Sequence, residues 1–326
     1  MIELPVISLA KSSIPIIWLD TSIILNMTLW KLGKSIDEVQ KERANYLYNT
    51  IYDLTRKKKL ICPFADQREE MWNGSADCHQ VMLELSLGIH TIHSESVKDY
   101  QTRQFMDAFI NKKEQVEINY LEFFHSDPYK QLSDNSRFII SVDLGLLEKS
   151  DEIKKRKHNQ TNKLEKLRQS IIQHGISYEE QLEKEYKSEL ESIAYLLHKS
   201  LKGELSVSNF FGVVNLLSEY LEYWTQLSGK PDDFINFFAS SYYRKIPFHN
   251  INCQMSSKIL TGNDIIKSGH MMDIYHASSA IPYVNLFITD RYMKKILCDL
   301  ELEKTYETMI LNISELDKVE KYFNGL

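Results

Sequence analysis

The chain has 326 residues, of which 43% are hydrophobic and 11% aromatic, and its 39 Lys and Arg side chains against 45 Asp and Glu give a formal net charge of -6. The length indicates two structural units, and the composition is typical of a globular protein and excludes a mainly disordered chain. The negative balance excludes a protein that coats nucleic acid through an overall cationic field, although a local basic groove is compatible with it.

The first predicted elements form a β-α-β unit. The run Ile14–Leu19 is apolar and rich in β-branched residues, a pattern typical of a buried parallel strand, and it ends at Asp20. After a loop, the spacing of apolar residues predicts a helix over 36–56, with a capping box at Ser35–Glu38. A second buried strand is predicted at Leu60–Phe64.

A helix is predicted to begin at Asp66, beyond the second strand, so that Glu69 and Glu70 lie in its first turns. Because Asp66 and Glu69 also match the spacing of a capping box, Glu70 is the preferred site residue of the two. From about Ser75 to Leu260, strand signals nearly vanish and long charged segments with helical apolar spacing take over. This region is predicted to be all-α.

The α/β pattern returns at the C-terminus. The predicted elements there are a helix over Asp273–Val284, a strand over Asn285–Thr289, a helix over Arg291–Asp299, a strand over Thr308–Ile313 and a helix over Glu315–Phe323. This order predicts an α/β fold whose parallel sheet is assembled from both ends of the chain. Residues 1–75 and 261–326 would form one discontinuous domain, with 76–260 as an all-α insertion.

Four acidic residues are predicted to meet at one edge of the sheet. Asp20 and Asp290 follow directly on strands, and the carboxyl ends of parallel strands form the binding crevice of an open sheet. Glu70 and Asp273 lie in the first turns of helices whose N-termini abut the same edge. Their mutual repulsion is tolerable if divalent cations neutralise them. For Asp20 the alternative interpretation is a helix N-cap.

Three motifs resemble the PIN-like nuclease superfamily. WLDTSIIL at 18–25 resembles the opening aspartate motif of PIN domains, and CPFADQREEM at 62–71 resembles the strand and acidic helix that follow it. HMMDIYHASSAIPYVNLFITD at 270–290 resembles the third and fourth acidic motifs. One spacing departs from the family pattern: many relatives have an additional residue before the last acid, whereas Asp290 follows Thr289 directly. The resemblance does not extend to the central helices.

The resemblance implies a PIN-like parallel sheet flanked by helices and a metal-dependent nuclease. Asp20 and Asp273 would bind the principal Mg²⁺ or Mn²⁺, and Asp290 with Glu70, or with Glu69 in its place, would complete the coordination directly or through water. The substrate would be RNA or single-stranded DNA, with an endoribonuclease as the leading hypothesis. The products would carry 5′-phosphate and 3′-hydroxyl ends.

Other side chains have supporting roles under this hypothesis. Thr21, Ser22 and Thr289 would orient water or phosphate, and His276 would do so too unless it only packs its helix. The basic run that begins with Lys154, Lys155, Arg156 and Lys157 would contact nucleic-acid phosphates, with a solvated helix face as the alternative. The helical insertion is also the predicted surface for a protein partner or for a homo-oligomer.

The sequence also bears on two other functions. A catalytically inactive PIN-like protein could use its insertion as a protein or RNA interaction module, which the direct Thr289-Asp290 spacing favours. A haloacid-dehalogenase phosphatase would need Asp-x-Asp after the first strand, whereas Thr21 and Ser22 follow Asp20.

The cysteines and the N-terminal sequence argue against a zinc-binding or disulfide-bonded protein and against a secreted or membrane protein. The four cysteines stand far apart and form no CxxC pair, so neither a zinc ribbon nor a disulfide framework is indicated. The N-terminal stretch has no signal-peptide pattern, and no apolar run approaches the roughly 20 residues that span a bilayer. A soluble cytoplasmic protein without membrane contact is therefore predicted.

Overall fold

The computed structural model describes residues 5–64, 76–133, 150–202 and 218–326. Its strands are β1 (Val6–Ala10), β2 (Ile17–Leu19), β3 (Gln115–Asn119), β4 (Leu286–Thr289) and β5 (Met309–Asn312). Its helices are α1 (Thr21–Lys31), α2 (Glu38–Arg56), α3 (Ala76–Ser86), α4 (Ser94–Ile110), α5 (Pro128–Ser133), α6 (Ser150–Gln173), α7 (Tyr178–Leu201), α8 (Pro231–Phe238), α9 (Ser241–Lys245), α10 (Pro247–Leu260), α11 (His270–Ala280), α12 (Arg291–Asp299), α13 (Leu302–Thr305) and α14 (Leu316–Asn324). Within the described ranges no helix is long and apolar enough to cross a membrane.

A parallel sheet with the order β2-β4-β5 is built from both ends of the chain. Leu19 pairs with Ile288 between β2 and β4, and Thr289 pairs with Asn312 between β4 and β5. Every residue of β2 is at most 2% exposed, as expected for a strand covered on both faces. The predicted α/β class and the joining of the two chain ends in one sheet are confirmed.

Isolated bridges continue this sheet on the far side of β2. Ile61 forms a parallel bridge with Ile16, and Phe64 forms one with His90. Pro63 lies between the two bridges and has no N–H to donate, which explains why the predicted second strand is interrupted. Across the sheet the order is therefore the segment at His90, the segment at 61–64, β2, β4 and β5, which in chain order is third, second, first, fourth and fifth.

The chain passes from β2 into α1 without the predicted loop. Asp20 is the N-cap residue of α1, which begins at Thr21. Ile23, Ile24 and Met27 are each at most 2% exposed, and Leu and Trp residues occupy other positions around the same helix. Because these apolar residues are not confined to one stripe, α1 lacks the helical spacing that predicts α2.

The start of α2 also differs from the predicted capping box. Asp37 is the N-cap, and its Oδ1 accepts a hydrogen bond from the backbone N–H of Gln40 at 2.9 Å. Ser35 lies two residues before this cap and does not fill it. An aspartate at the residue directly before the helix satisfies the first-turn N–H groups as well as a serine does.

The chain divides into two compact units. We call the described residues of 9–97, 118–164 and 266–326 the sheet unit, and those of 1–8, 98–117 and 165–265 the helical unit. This division does not coincide with the predicted insertion at 76–260. Residues 76–97 belong to the sheet unit because the segment at His90 extends the sheet through Phe64.

The region predicted to be all-α contains a strand. In β3, Val116 and Ile118 are 6% and 1% exposed, whereas Gln115 and Glu117 are exposed, which is the two-residue period of a half-buried strand. This strand pairs with β1 in a two-stranded sheet. The alternation is only five residues long and lies among long helical patterns, so the helical spacing dominated the prediction.

The helical unit packs around aromatic side chains. Trp224 and Phe237 are fully buried, and their ring centroids lie 6.0 Å apart. Tyr243, 1% exposed, lies 5.5 Å from Phe237 and 4.3 Å from the ring of His249. The aromatic run in 234–243 is therefore core in this unit.

Candidate functional site

The first strand-end aspartate, Asp20, is largely buried and accepts a hydrogen bond on each of its carboxylate oxygens. It is 8% exposed. Its Oδ1 accepts from the backbone N–H of Ser22 at 2.8 Å, which is the cap of α1. Its Oδ2 accepts from the hydroxyl of Thr289 at 2.8 Å, across from the neighbouring strand. The N-cap interpretation of Asp20 is thus confirmed, but it accounts for one carboxylate oxygen only.

The second strand-end aspartate, Asp290, follows the strand next to that of Asp20. The backbone N–H of Asp20 donates to the carbonyl of Ile288 at 2.9 Å, so β2 is paired with β4 up to its last residue, Leu19. Neighbouring strands lie about 4.8 Å apart. The Oδ1 atom of Asp290 accepts from the N–H of Met293 at 2.8 Å and caps α12. Both strand ends therefore present an aspartate at one edge of the sheet.

Asp273 lies in the first turn of α11, and the packing of α11 on β2 gives its location. The ring of His276, which is 3% exposed, lies 5.7 Å from that of Trp18. Because α11 leads into β4 through a short turn, it runs opposite to the strands. Asp273 is about 4.5 Å before His276 along the helix, and Asp20 is about 6.6 Å after Trp18 on the same face of its strand. Because the helix and the strand run in opposite directions, both displacements point towards the carboxyl ends of the strands. Asp273 and Asp20 therefore lie at the same edge.

A second ring contact joins α11 to α12. The rings of His270 and Tyr292 are stacked, with centroids 4.7 Å apart and planes at 17°. His270 lies one turn before Asp273, and Tyr292 lies two residues after Asp290. The N-terminal turns that carry these two aspartates are therefore held together.

The strand order makes this edge a topological switch point. From β2 the chain continues to the segment at 61–64 on one side, whereas β4 and β5 lie on the other side. In open parallel sheets, ligands bind where the order reverses, outside the carboxyl ends of the strands. Here the reversal lies between β2 and β4, and the bond from Thr289 to Asp20 spans it.

Asn312 supports this edge and was not identified from the sequence. Its Nδ2 donates to the carbonyl of Thr289 at 3.0 Å, and its Oδ1 accepts from the N–H of Ser314 at 2.8 Å. Asn312 is 6% exposed, so this side chain is fixed at both ends inside the protein. The available signal was a polar residue that ends an apolar strand, which is the same signal that identified Asp20 and Asp290.

Some predicted site residues lie outside the described residues or apart from this edge. Glu69 and Glu70 are outside the described ranges, and so are the side chains of Lys154 and Arg156, whose backbone belongs to α6. Lys155 is exposed and Lys157 is partly buried in that helix. Thr21 is the first residue of α1, and the backbone N–H of Ser22 donates a hydrogen bond to the carboxylate of Asp20. His276 packs on Trp18 in the core.

The donor chemistry of the edge fits a hard divalent cation. The carboxylate oxygens of Asp20, Asp273 and Asp290 are the kind of ligand that Mg²⁺ and Mn²⁺ prefer. Among the described residues Asp20 accepts hydrogen bonds from two neutral donors, one on each carboxylate oxygen. In the described part of the chain, however, no three His, Cys, Asp or Glu side chains are grouped closely enough to hold a metal ion. Comparisons of the chain with protein-family models, with curated proteins and with solved structures found no match.

Proposed function

We propose that this protein is a metal-dependent nuclease of the PIN-like type, most specifically an endoribonuclease that acts on single-stranded nucleic acid. The observation that carries the proposal is the state of Asp20. It is a carboxylate 8% exposed at the switch point of a parallel sheet, and it is held by two neutral donors and by no cationic side chain among the described residues. A buried charge without a counter-charge is costly, and a bound cation would remove that cost.

The residues at the edge have distinct roles in this proposal. Asp20 of the β2 end and Asp273 of α11 would hold the principal cation, and Asp290 of the neighbouring strand end would contribute to it. Ser22 and Thr289 hold the Asp20 carboxylate in one orientation, so little freedom is lost when a ligand binds. An acid at 69 or 70 would complete the set.

When bound there, Mg²⁺ or Mn²⁺ would favour the hydroxide form of a water molecule and offset the charge that develops on the phosphate oxygens. The acidic edge repels a phosphodiester by itself, so the cation is required for substrate binding as well as for hydrolysis. Attack on phosphorus with departure of the 3′ oxygen leaves 5′-phosphate and 3′-hydroxyl ends. The cytoplasm is the proposed location.

An inactive interaction module is the second candidate. The observation that favours it is that Asp20 and Asp290 both act as helix N-caps, a role that needs no catalysis. In that case the helical unit would provide the surface for a protein or RNA partner.

The test compares two N-cap aspartates. Asp20→Asn and Asp37→Asn each keep a good cap, but only the first removes a carboxylate from the sheet edge. A fluorescent single-stranded RNA is incubated with each variant in Mg²⁺, in Mn²⁺ and with chelator. We expect cleavage by wild type and by Asp37→Asn, and none by Asp20→Asn or after chelation. Cleavage by Asp20→Asn at the wild-type rate would refute the assignment, and RNA binding without cleavage by wild type would favour the module.

A further inference from the structure

Glu315 lies between β5 and α14 and joins three elements around the acidic edge. Its Oε2 accepts from the backbone N–H of Asn312 at 3.0 Å and forms an ion pair with Lys294 of α12. Its Oε1 accepts from Lys318 of α14 at 2.6 Å. Burial raises the pKa of Glu315, but the hydrogen bonds from Lys294, Lys318 and Asn312 outweigh it and hold this pKa at about 2. Glu315 is therefore ionised at any working pH.

One of these contacts concerns Asp290 directly. Lys294 lies four residues after Asp290, which caps the same helix, and side chains four residues apart on a helix are neighbours. A lysine side chain is long enough to bring its ammonium group to that carboxylate. In the structure Lys294 instead extends to Glu315, with both side chains about one-fifth exposed.

The other contact concerns Asp20. Glu315 holds the backbone of Asn312, the side chain of Asn312 donates to the carbonyl of Thr289, and the hydroxyl of Thr289 donates to Asp20. Each of these bonds is between 2.8 and 3.0 Å. The chain of contacts ends at the carboxylate proposed to bind metal.

We propose that Glu315 is a positioning residue of the acidic edge: it holds the Lys294 ammonium away from Asp290 and fixes the Asn312-Thr289-Asp20 chain of hydrogen bonds. This inference rests on the proposed function insofar as a cation is the ligand of the edge. Without Glu315, Lys294 would pair with Asp290 and compete with the cation for it.

The test uses four variants: Glu315→Gln, Lys294→Met, the double variant of these two, and Lys318→Met as the matched control. Lys318→Met removes the other lysine that pairs with Glu315. The side chain of Lys318 is 65% exposed. Mn²⁺ affinity is measured by calorimetry. We expect Glu315→Gln to bind about tenfold more weakly, which corresponds to about 1.4 kcal/mol, and Lys294→Met and Lys318→Met to bind like wild type.

The double variant separates the proposal from general loosening of the fold. If freed Lys294 is the competitor, removing it restores most of the affinity, whereas a disordered edge would not recover. A crystal structure of Glu315→Gln, without metal, gives a readout that does not depend on cation binding: Lys294 is expected on Asp290. If wild type binds Mn²⁺ and Glu315→Gln binds equally well, or if Lys294 does not move to Asp290, the inference is overturned. If wild type binds no Mn²⁺, the proposed function fails, and the crystal structure alone decides the role of Glu315.

Discussion

Two largely buried acids, Glu189 in the helical unit and Asp20 in the sheet unit, have different kinds of partner. In the helical unit, Glu189 forms an ion pair with Lys98 at 3.1 Å and accepts a hydrogen bond from the hydroxyl of Tyr243. Burial raises the pKa of Glu189, but the charge of Lys98 and the bond from Tyr243 lower it more. In the sheet unit, Asp20 is held by neutral donors. Under the proposed function, the charge balanced by Lys98 serves stability, whereas the carboxylate held by neutral donors among the described residues is the one that would bind a cation.

The largest expected effect comes from breaking the balanced pair. Glu189→Ala removes the carboxylate that pairs with Lys98 and that accepts the hydrogen bond from the hydroxyl of Tyr243, so we expect a loss of about 3 kcal/mol in the free energy of unfolding. Glu183→Ala on the same helix removes a more exposed pair with Arg244 and should cost less than about 1 kcal/mol. Urea unfolding measures both. Equal losses of unfolding free energy for the two variants would mean that the pair of Glu189 with Lys98 contributes no more to stability than an exposed ion pair.

Acidification should weaken the helical unit through His249. Burial lowers the pKa of His249 to about 4, with Glu189 opposing the shift and Lys98 and Arg244 adding to it. The unfolded chain, with a pKa of about 6.5, takes up the proton first as the pH falls, so stability is lost between about pH 6.5 and pH 4. The loss at pH 5 relative to pH 8 is about 2 kcal/mol.

The control for this pH effect is His249→Phe, which keeps a ring against Tyr243 and removes the titrating group. Denaturant unfolding at pH 5 and pH 8 should show a smaller difference for the variant than for wild type. An unchanged difference would show that other groups, and not the buried imidazole, set the acid sensitivity.

Thr289→Val tests the neutral donors of the sheet unit. It removes the hydroxyl that donates a hydrogen bond to Asp20. We expect the free energy of unfolding of the metal-free protein to fall by about 1.5 kcal/mol, because hydrogen bonds to charged groups are stronger than those between neutral groups. Thr28→Val, which removes a buried bond to the carbonyl of Ile24, should cost less than about 1 kcal/mol. Thermal or urea unfolding without metal compares the two variants. A smaller loss for Thr289→Val than for Thr28→Val would contradict the role given to the hydroxyl.

The smallest effect on stability is expected from Asp290→Asn. This variant should separate the stability of the metal-free protein from the stabilisation by Mn²⁺. Asparagine caps α12 as well as aspartate does, so metal-free stability should change by less than about 0.5 kcal/mol. The increase in melting temperature on addition of Mn²⁺ should fall, since a ligand charge is gone. Asp37→Asn should leave that increase intact. A full Mn²⁺ response in Asp290→Asn would place the cation elsewhere and remove Asp290 from the site.

Local patterns predicted the last elements closely, except that the helix predicted over Asp273–Val284 spans His270–Ala280. The helix predicted over Arg291–Asp299 has those bounds, and β4 ends at the predicted residue, because an apolar run followed by an N-cap aspartate signals both elements at once. α1 was missed because its apolar residues are not confined to one face, and β3 was missed because five alternating residues are a weak signal among long helices.

The supporting residues of the candidate site were harder to predict. Asn312 and Glu315 look like an ordinary strand end and an ordinary helix start in the sequence. Their importance comes from their partners: Asn312 reaches Thr289, and Glu315 reaches Lys294, each about twenty positions earlier in the chain. The spacing of residues along the chain predicts neighbours within one element but not contacts between elements.

The sequence by itself showed that Asp20 and Asp290 each end a buried strand, because apolar runs and cap residues act over a few positions. Only the tertiary structure decided that β2 lies beside β4. That pairing brings Thr289 to Asp20 across 269 positions of the chain and leaves the carboxylate with neutral donors. Strand order depends on which faces can be buried together, and this is a property of the whole packed chain.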